Sequence, residues 1–203
     1  MITLEQRVIL NGHSDFVETI AVSPADDTVM TGGRDGKILL WKLGVTEPVF
    51  SWNPYNGIEL YHSDMSYDTN MILACFSQYK EALVYNRATQ QSRAVPLLEH
   101  CHCPTMSRDG SAIISYSDRI VYRIHLSEHK GIECVYKSNS PIRFCQYLRD
   151  RESVLILNQN GQIQIVDILT KTVTVNLPQI YPKIGFVHTS CDDSFIVVGD
   201  KSK

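Results

Sequence analysis

An all-β fold made of repeated four-stranded units is what the sequence predicts, and three observations carry the prediction. A polar, Asp-rich turn recurs at Ser23, Ser66, Ser107, Leu148 and Ser190, every 41–43 residues. Each turn is preceded by a short alternating run and followed by an apolar one, as when a half-buried strand leads into a buried one. The chain carries no helical apolar period of note. A period near 40 with four strands per unit marks a β-propeller, whose blades are antiparallel meanders.

The elements follow in order. First strands are expected at 17–22, 58–65, 101–106, 142–147 and 184–189. Second strands follow each turn at 29–30, 71–75, 112–115, 154–157 and 195–198. Third strands are expected at 37–41, 82–85, 120–124 and 162–166, closing on Trp41, Tyr85, Tyr122 and Val166. Polar, edge-like runs at 47–52, 92–98, 132–137 and 172–177 supply the fourth strands, as suits an outer rim. The lead-in from Leu4 to Leu10 is a short strand or irregular. The blades therefore span about 12–52, 57–98, 99–137 and 140–177, with a partial blade at 181–203, all in one domain. This is four near-complete blades plus the first hairpin of a fifth. The expectation is an incomplete ring: part of a longer polypeptide, short, open, or completed by another chain.

The stretch from Gly12 to Leu43 holds the richest pattern: Gly12-His13, a Ser-Pro turn at Ser23, an Asp-Gly turn at Asp35 and a closing Trp41. In order and spacing it resembles a blade of the WD-repeat (WD40) β-propeller family. The resemblance implies a structural hydrogen-bond relay through His13, Thr31, Asp35 and Trp41. The physical need is clear, because an inward Trp carries an N–H that must find an acceptor when buried. Thr31 can accept it, His13 can bridge Thr31 to Asp35, and Asp35 fixes the ring's tautomer. Spacing assigns this set to the blade and not to a catalytic triad. The corresponding positions elsewhere, Tyr79, Asp118 or Arg119, and Asn160, depart from the motif, so those blades are expected to rely on apolar packing. A narrower likeness also holds. His13 to Val17, Val22 to Thr28, Leu39 to Leu43 and Ile163 to Asp167 are similar to blades of the small WD-repeat subunit of COMPASS-type histone methyltransferase complexes.

Composition bounds the function. A net charge of −3 gives no basic surplus, hence no electrostatic case for direct nucleic acid binding. No apolar run is long enough to span a membrane, and the first residues lack a signal-peptide core, so an intracellular place, cytoplasm or nucleus, is expected. Six scattered cysteines read as reduced core residues. His100-Cys101-His102-Cys103 lacks the two spaced pairs of a structural zinc site, so no metal and no cofactor are expected. Glu59, Asp64, Glu81 and Glu133 are the carboxylates available to a propeller hydrolase, but none forms an acid–base pair in sequence. The WD-repeat resemblance then implies a non-enzymatic scaffold binding protein or peptide partners in a larger complex, without a small-molecule substrate. In the family, partners dock where loops enter the first strands and join the second to the third. Here those loops hold Asp15, Phe16, Arg34, Tyr79, Lys80, Arg119 and Gln159, among them the Arg, Tyr and Phe types that anchor interfaces. The alternatives are the hydrolase, or a structural fragment that needs further blades for stability.

Overall fold

A computed structural model describes residues 9–23, 25, 27–98, 102–127, 131–148, 152–179, 184–190 and 193–200. Several expectations lie outside those residues: the lead-in up to residue 8, Pro24 and Asp26 of the first turn, His100 and Cys101, the turn after Leu148, and Cys191.

Among the described residues all regular structure is β. Blade 1 is β1 (Val17–Ser23), β2 (Thr28–Gly33), β3 (Ile38–Lys42) and β4 (Phe50–Trp52). Blade 2 is β5 (Leu60–Met65), β6 (Met71–Phe76), β7 (Glu81–Asn86) and β8 (Gln91–Pro96). Blade 3 is β9 (His102–Met106), β10 (Ala112–Ser117), β11 (Ile120–His125) and β12 (Ile132–Lys137). Blade 4 is β13 (Ile142–Tyr147), β14 (Ser153–Asn158), β15 (Ile163–Asp167) and β16 (Thr172–Leu177). A two-stranded sheet follows, β17 (Ile184–Thr189) and β18 (Ile196–Asp200). Each sheet is an antiparallel meander in chain order, and the first strands β1, β5, β9 and β13 adjoin one another around the propeller's centre. The main departure from the predicted boundaries is the second strand of blade 1, which runs beyond Val29-Met30 to Gly33.

The turns repeat because their chemistry repeats. Ser66 Oγ donates to Asp68 Oδ1 (2.6 Å) and accepts from Met71 N–H (2.9 Å). Ser107 does the same with Asp109 (2.7 Å) and Ala112 (3.0 Å). Within these turns Asp27, Thr69, Gly110 and Asp193 share a left-handed backbone position, with φ of 55°, 60°, 70° and 55°. A side chain that bonds its own backbone offers such a turn in place of continued strand.

The core lies between blades, not within them. Period-two alternation splits each buried second strand between its two neighbours. Ile72 and Ala74 pack on Met30, Ile38 and Leu40 of blade 1. Leu73 and Cys75 pack on Met106, Ile113 and Ile124 of blade 3. Ile114 and Tyr116 meet Val154, Ile156 and Val166, and Leu155 and Leu157 meet Ile184 and Val187. Side chains also stitch one first strand to the next. Thr19 Oγ1 bonds Ser63 Oγ (2.5 Å), His62 Nε2 donates to Pro104 O (2.9 Å), and Met106 N donates to Asp64 Oδ2 (2.8 Å). Beyond them Tyr147 N donates to Thr105 Oγ1 (3.2 Å), and Arg143 donates to Ile184 O.

Strand register corrects one assignment. Val29 pairs with Trp41, and the matching pairs are Ile72 with Tyr85, Ile113 with Ile124 and Val154 with Val166. Ile124 therefore stands in the Trp41 position of blade 3. Tyr122 lies two residues earlier, opposite Ser115, because the turn between β10 and β11 is shorter than its counterpart in blade 1.

Candidate functional site

The four relay residues meet on the face of blade 1 turned away from blade 2. Trp41, 1% exposed, donates its indole N–H to Thr31 Oγ1 at 2.8 Å. His13 Nε2 lies 2.8 Å from the same hydroxyl, and its Nδ1 lies 2.9 Å from Asp35 Oδ1. The proton pattern follows. An ionised carboxylate only accepts, so His13 Nδ1–H donates to Asp35. Nε2 is then an acceptor, and the Thr31 O–H donates to it. Burial alone would raise the Asp35 carboxyl. The amide of Ser14 (3.0 Å), the His13 ring and the amide of Lys37 (3.2 Å) outweigh that and hold it below its ordinary value.

Two glycines make room for this geometry. A Cβ on Gly12 would sit 2.8 Å from both Leu39 Cδ1 and Trp41 Cη2, so only glycine lets the lead-in lie flat on the indole. A Cβ on Gly33 would sit 2.6 Å from His13 Nδ1. Gly33 ends β2, and its missing side chain leaves space for a ring 20 positions away.

Blade 4 corrects the expectation of purely apolar packing. Ser138 stands in the lead-in to β13, and its Oγ donates to Asn158 Oδ1 at 3.0 Å. Asn158 Nδ2 donates to Gln164 Oε1 (3.3 Å), which also accepts from Tyr136 OH (3.3 Å) on blade 3. Four polar groups thus satisfy one another between two blades, as the relay does within one. No Gly-His marks it, so a search for the first blade's letters misses it.

The seven loop residues gather by topology. Asp15 and Phe16 precede β1, while Arg34, Tyr79 with Lys80, Arg119 and Gln159 follow β2, β6, β10 and β14. In a meander the start of the first strand and the end of the second lie at the same end of the blade. Their surroundings differ. Arg34 bonds Glu18 Oε1, sits 3.1 Å from Glu59 Oε1, and lies 5.4 Å from the Phe16 ring centroid. Hydrogen bonding and charge from Glu18, with the charge of Glu59, raise the pKa of its guanidinium further. Phe16 itself is 72% exposed. Tyr79 stacks on Tyr55 with centroids 4.3 Å apart, and Tyr55 OH reaches Glu81 Oε1 at 3.5 Å. The sequence singles out neither Tyr55 nor Glu18, and it offers Glu59 only as a hydrolase carboxylate, although Tyr55 stands in the loop between blades where such a contact belongs. Arg119 Nη1 donates to Asn139 O (3.3 Å), and Gln159 N–H donates to Pro141 O (2.8 Å).

The remaining candidates are engaged in structure. Glu59 faces Arg34, Glu81 faces Tyr55, and Asp64 accepts the amides of Met65 and Met106. Glu133 lies 3.9 Å from His125 Nε2. Cys103 is partly buried, and burial pushes its thiol up. Among the described residues no three His, Cys, Asp or Glu converge as a metal site, and no helix is long and apolar enough to cross a membrane.

Comparison with known proteins agrees with this geometry. A family model for "WD domain, G-beta repeat" matches residues 4–42. The chain carries a WD repeat and folds as a WD-repeat β-propeller. Over 45 residues it is 47% identical to "Small ribosomal subunit protein RACK1" of Medicago sativa, which is 22% of this chain and 14% of that protein. Over 45 residues it is 42% identical to RACK1z of Arabidopsis thaliana, with the same coverage. The chain thus spans about one seventh of the length of these curated relatives. Among solved structures, the β-propeller domain of Myceliophteria thermophila Cps50 (Swd1) superposes with a TM-score of 0.76 at 11% identity, covering 93% of this chain and 64% of that one. The WD40 repeats of RRP9 superpose at 0.66 with 15% identity, covering 83% and 52%. At such identities these structures speak for the fold alone.

Proposed function

We propose that this WD-repeat propeller is a non-catalytic, intracellular scaffold that binds protein or peptide partners within a larger complex. The observation that carries the reading is the loop end of the blades, where Arg34 lies over Phe16 on blade 1 and Tyr79 of blade 2 stacks on Tyr55. Aromatic and Arg side chains supply the anchors of protein interfaces, and a rigid sheet behind them lowers the ordering cost of binding. Asp15, Lys80, Arg119 and Gln159 extend the same end around the disc. The RACK1 relatives are small ribosomal subunit proteins, and so belong to an assembly, which supports the reading by analogy. Its test is affinity purification of the tagged full chain from its native cell, wild type against Arg34→Glu, read by mass spectrometry. A partner set lost in the variant, with the fold kept by circular dichroism, supports the assignment; an unchanged set refutes this face.

A second reading is a unit that gains stability when further blades pack on blade 1. It draws on Ile20 and Val22, which are 69% and 50% exposed on β1. Cooperative melting of the isolated chain at high temperature would count against it.

A further inference from the structure

We propose that Asn56 is a site of spontaneous covalent modification: in the folded chain it cyclises onto the Gly57 amide and reopens as aspartate and isoaspartate. The reaction needs an Asn side chain, a following backbone nitrogen that nothing shields, and freedom to bring the two together. The Gly57 nitrogen, deprotonated by solvent base, bonds to Asn56 Cγ, and the side-chain nitrogen leaves as ammonia. Water then opens the cyclic imide at either carbonyl. The net change is asparagine plus water giving aspartate or isoaspartate plus ammonia, with no oxidant or reductant.

A following glycine shields its nitrogen least, because it has no Cβ and a wide choice of backbone angles. The chain holds three such pairs, Asn11-Gly12, Asn56-Gly57 and Asn160-Gly161, and they form an internal comparison. At Asn160 hydrogen bonds hold both reacting groups. Gly161 N–H donates to Asn158 O at 2.9 Å, and Asn160 Oδ1 accepts the Gln162 amide at 3.2 Å. That turn must open before the nitrogen can attack. At Asn11 the obstacle is packing. A Cβ on Gly12 would come within 2.8 Å of both Leu39 Cδ1 and Trp41 Cη2, and the adjoining His13 is tied to Thr31 and Asp35.

Asn56 meets neither restraint. Tyr55 O accepts the Ile58 N–H at 3.1 Å and Gly57 has a φ of 76°, a type II turn with Asn56 and Gly57 at its tip. That bond engages neither the Gly57 nitrogen nor the Asn56 side chain. Both residues are exposed, and a Cβ on Gly57 would meet nothing within 4 Å. The ends of the turn, by contrast, are fixed. A Cβ on Gly36 would come within 2.8 Å of Ile58 O and 3.0 Å of Tyr55 O, and the Tyr55 ring stacks on Tyr79. Isoaspartate lengthens the backbone by a methylene between those fixed ends. Either product sets a new carboxylate three residues before Glu59, which faces Arg34. Modification therefore ages the partner-binding end, a consequence that rests on the proposed function as the chemistry does not.

Timed incubation of the full chain at neutral pH, followed by peptide mapping in acid and mass spectrometry, tests the proposal. The products show the mass gain of NH2 replaced by OH, and isoaspartate resists an Asp-specific protease. In the native chain Asn56 should convert at least about tenfold faster than Asn11 or Asn160, the ratio reporting the opening those two require. In concentrated urea the three should convert at similar rates. Asn56→Gln should keep the fold by circular dichroism and lose the fast product. A native chain in which Asn11 or Asn160 keeps pace with Asn56 overturns the proposal, as does an Asn56 that reacts in urea but not in the native chain. Partners lost from aged wild type and kept by aged Asn56→Gln support the consequence. An unchanged partner set with Asn56 converted overturns the consequence alone, whereas the binding face itself stands or falls with Arg34→Glu.

Discussion

Replacing Thr31 by Val removes one oxygen from the relay and changes almost nothing in shape. Thr31 is 8% exposed and stands between two partners, each 2.8 Å from its hydroxyl. Without it the Trp41 N–H has no acceptor, and at 1% exposure the indole cannot turn to water. His13 Nε2 loses its donor as well. An orphaned buried polar group costs about 1–3 kcal/mol, so two groups, less the small gain from burying a methyl, give roughly 2–4 kcal/mol. For a chain of this size each kcal/mol moves the melting temperature by about 2–4 °C, which predicts a fall of roughly 5–15 °C. Differential scanning calorimetry of Thr31→Val and Thr31→Ser measures it, with Ser expected to recover most of the loss. Because both changes act on one chain of bonds, His13→Ala added to Thr31→Val should cost less than the sum of the single effects. A loss below about 0.5 kcal/mol in Thr31→Val, or full additivity, would refute the relay as a source of stability.

Other predictions follow from the same geometry. Gly33→Ala drives a Cβ to 2.6 Å from the His13 ring and should destabilise at least as much as His13→Ala, by about 1–3 kcal/mol in urea titration. Ser107→Ala breaks the repeated turn and should cost about 1 kcal/mol in the same assay. Asp35, Asp68 and Asp109 have depressed carboxyl pKa values because hydrogen bonds outweigh the burial that would raise them. The unfolded chain therefore takes up protons first, and stability present at neutral pH should fall as pH drops below about 4. His62 is lowered chiefly by burial, so protonating it favours the unfolded chain and stability should decline as pH falls below about 6.5. In urea midpoints against pH, His62→Gln should flatten that part of the curve. The Cys75 thiol, pushed up to about 12 by burial, should resist alkylation in the native protein and label only as the chain unfolds.

The strands were legible in sequence because a polar turn every 41–43 residues leaves little freedom in what lies between. β13, β17, β12 and β16 fall at their expected residues, since alternation and a turn bound each of them. Tyr122 was misplaced because counting from a turn assumes equal hairpins, and only the β10–β11 register reveals the shorter one. The relay partners could be named because their letters and spacing occur together in one stretch. The Ser138–Asn158–Gln164–Tyr136 network was illegible for the opposite reason. Its members come from two blades, and none is distinctive alone. The ring around Arg34 was half visible: the loops that hold it are fixed by topology, whereas the reach of Glu18 and Glu59 to one guanidinium depends on rotamers.

That contrast explains why blade 1 alone keeps the Trp-centred relay. In blades 2, 3 and 4 the face equivalent to that of Trp41 rests on the preceding blade. Ile72 and Ala74 lie against Met30 and Leu40, and Val154 and Val166 lie against Ile114 and Val121. There a sheet of aliphatic side chains supplies the cover, and Tyr85, Ile124 or Val166 can stand where Trp41 does. On blade 1 the cover over Trp41 is the chain's own lead-in, a single irregular strand of backbone passing Gly12 and His13. One pass of chain buries too little apolar surface to be held by packing alone, and its backbone has no ladder to join. A directional tie is needed, and the bonds from His13 to Thr31 and Asp35 provide it, with Ser14 N–H adding a second hold on the carboxylate. The relay is thus a fastening for a segment over which, among the described residues, no sheet packs. On this argument Thr31→Val should speed hydrogen exchange in residues 9–16 more than anywhere in blades 2 to 4. Uniform acceleration across the propeller would instead mean that the relay serves the core as a whole.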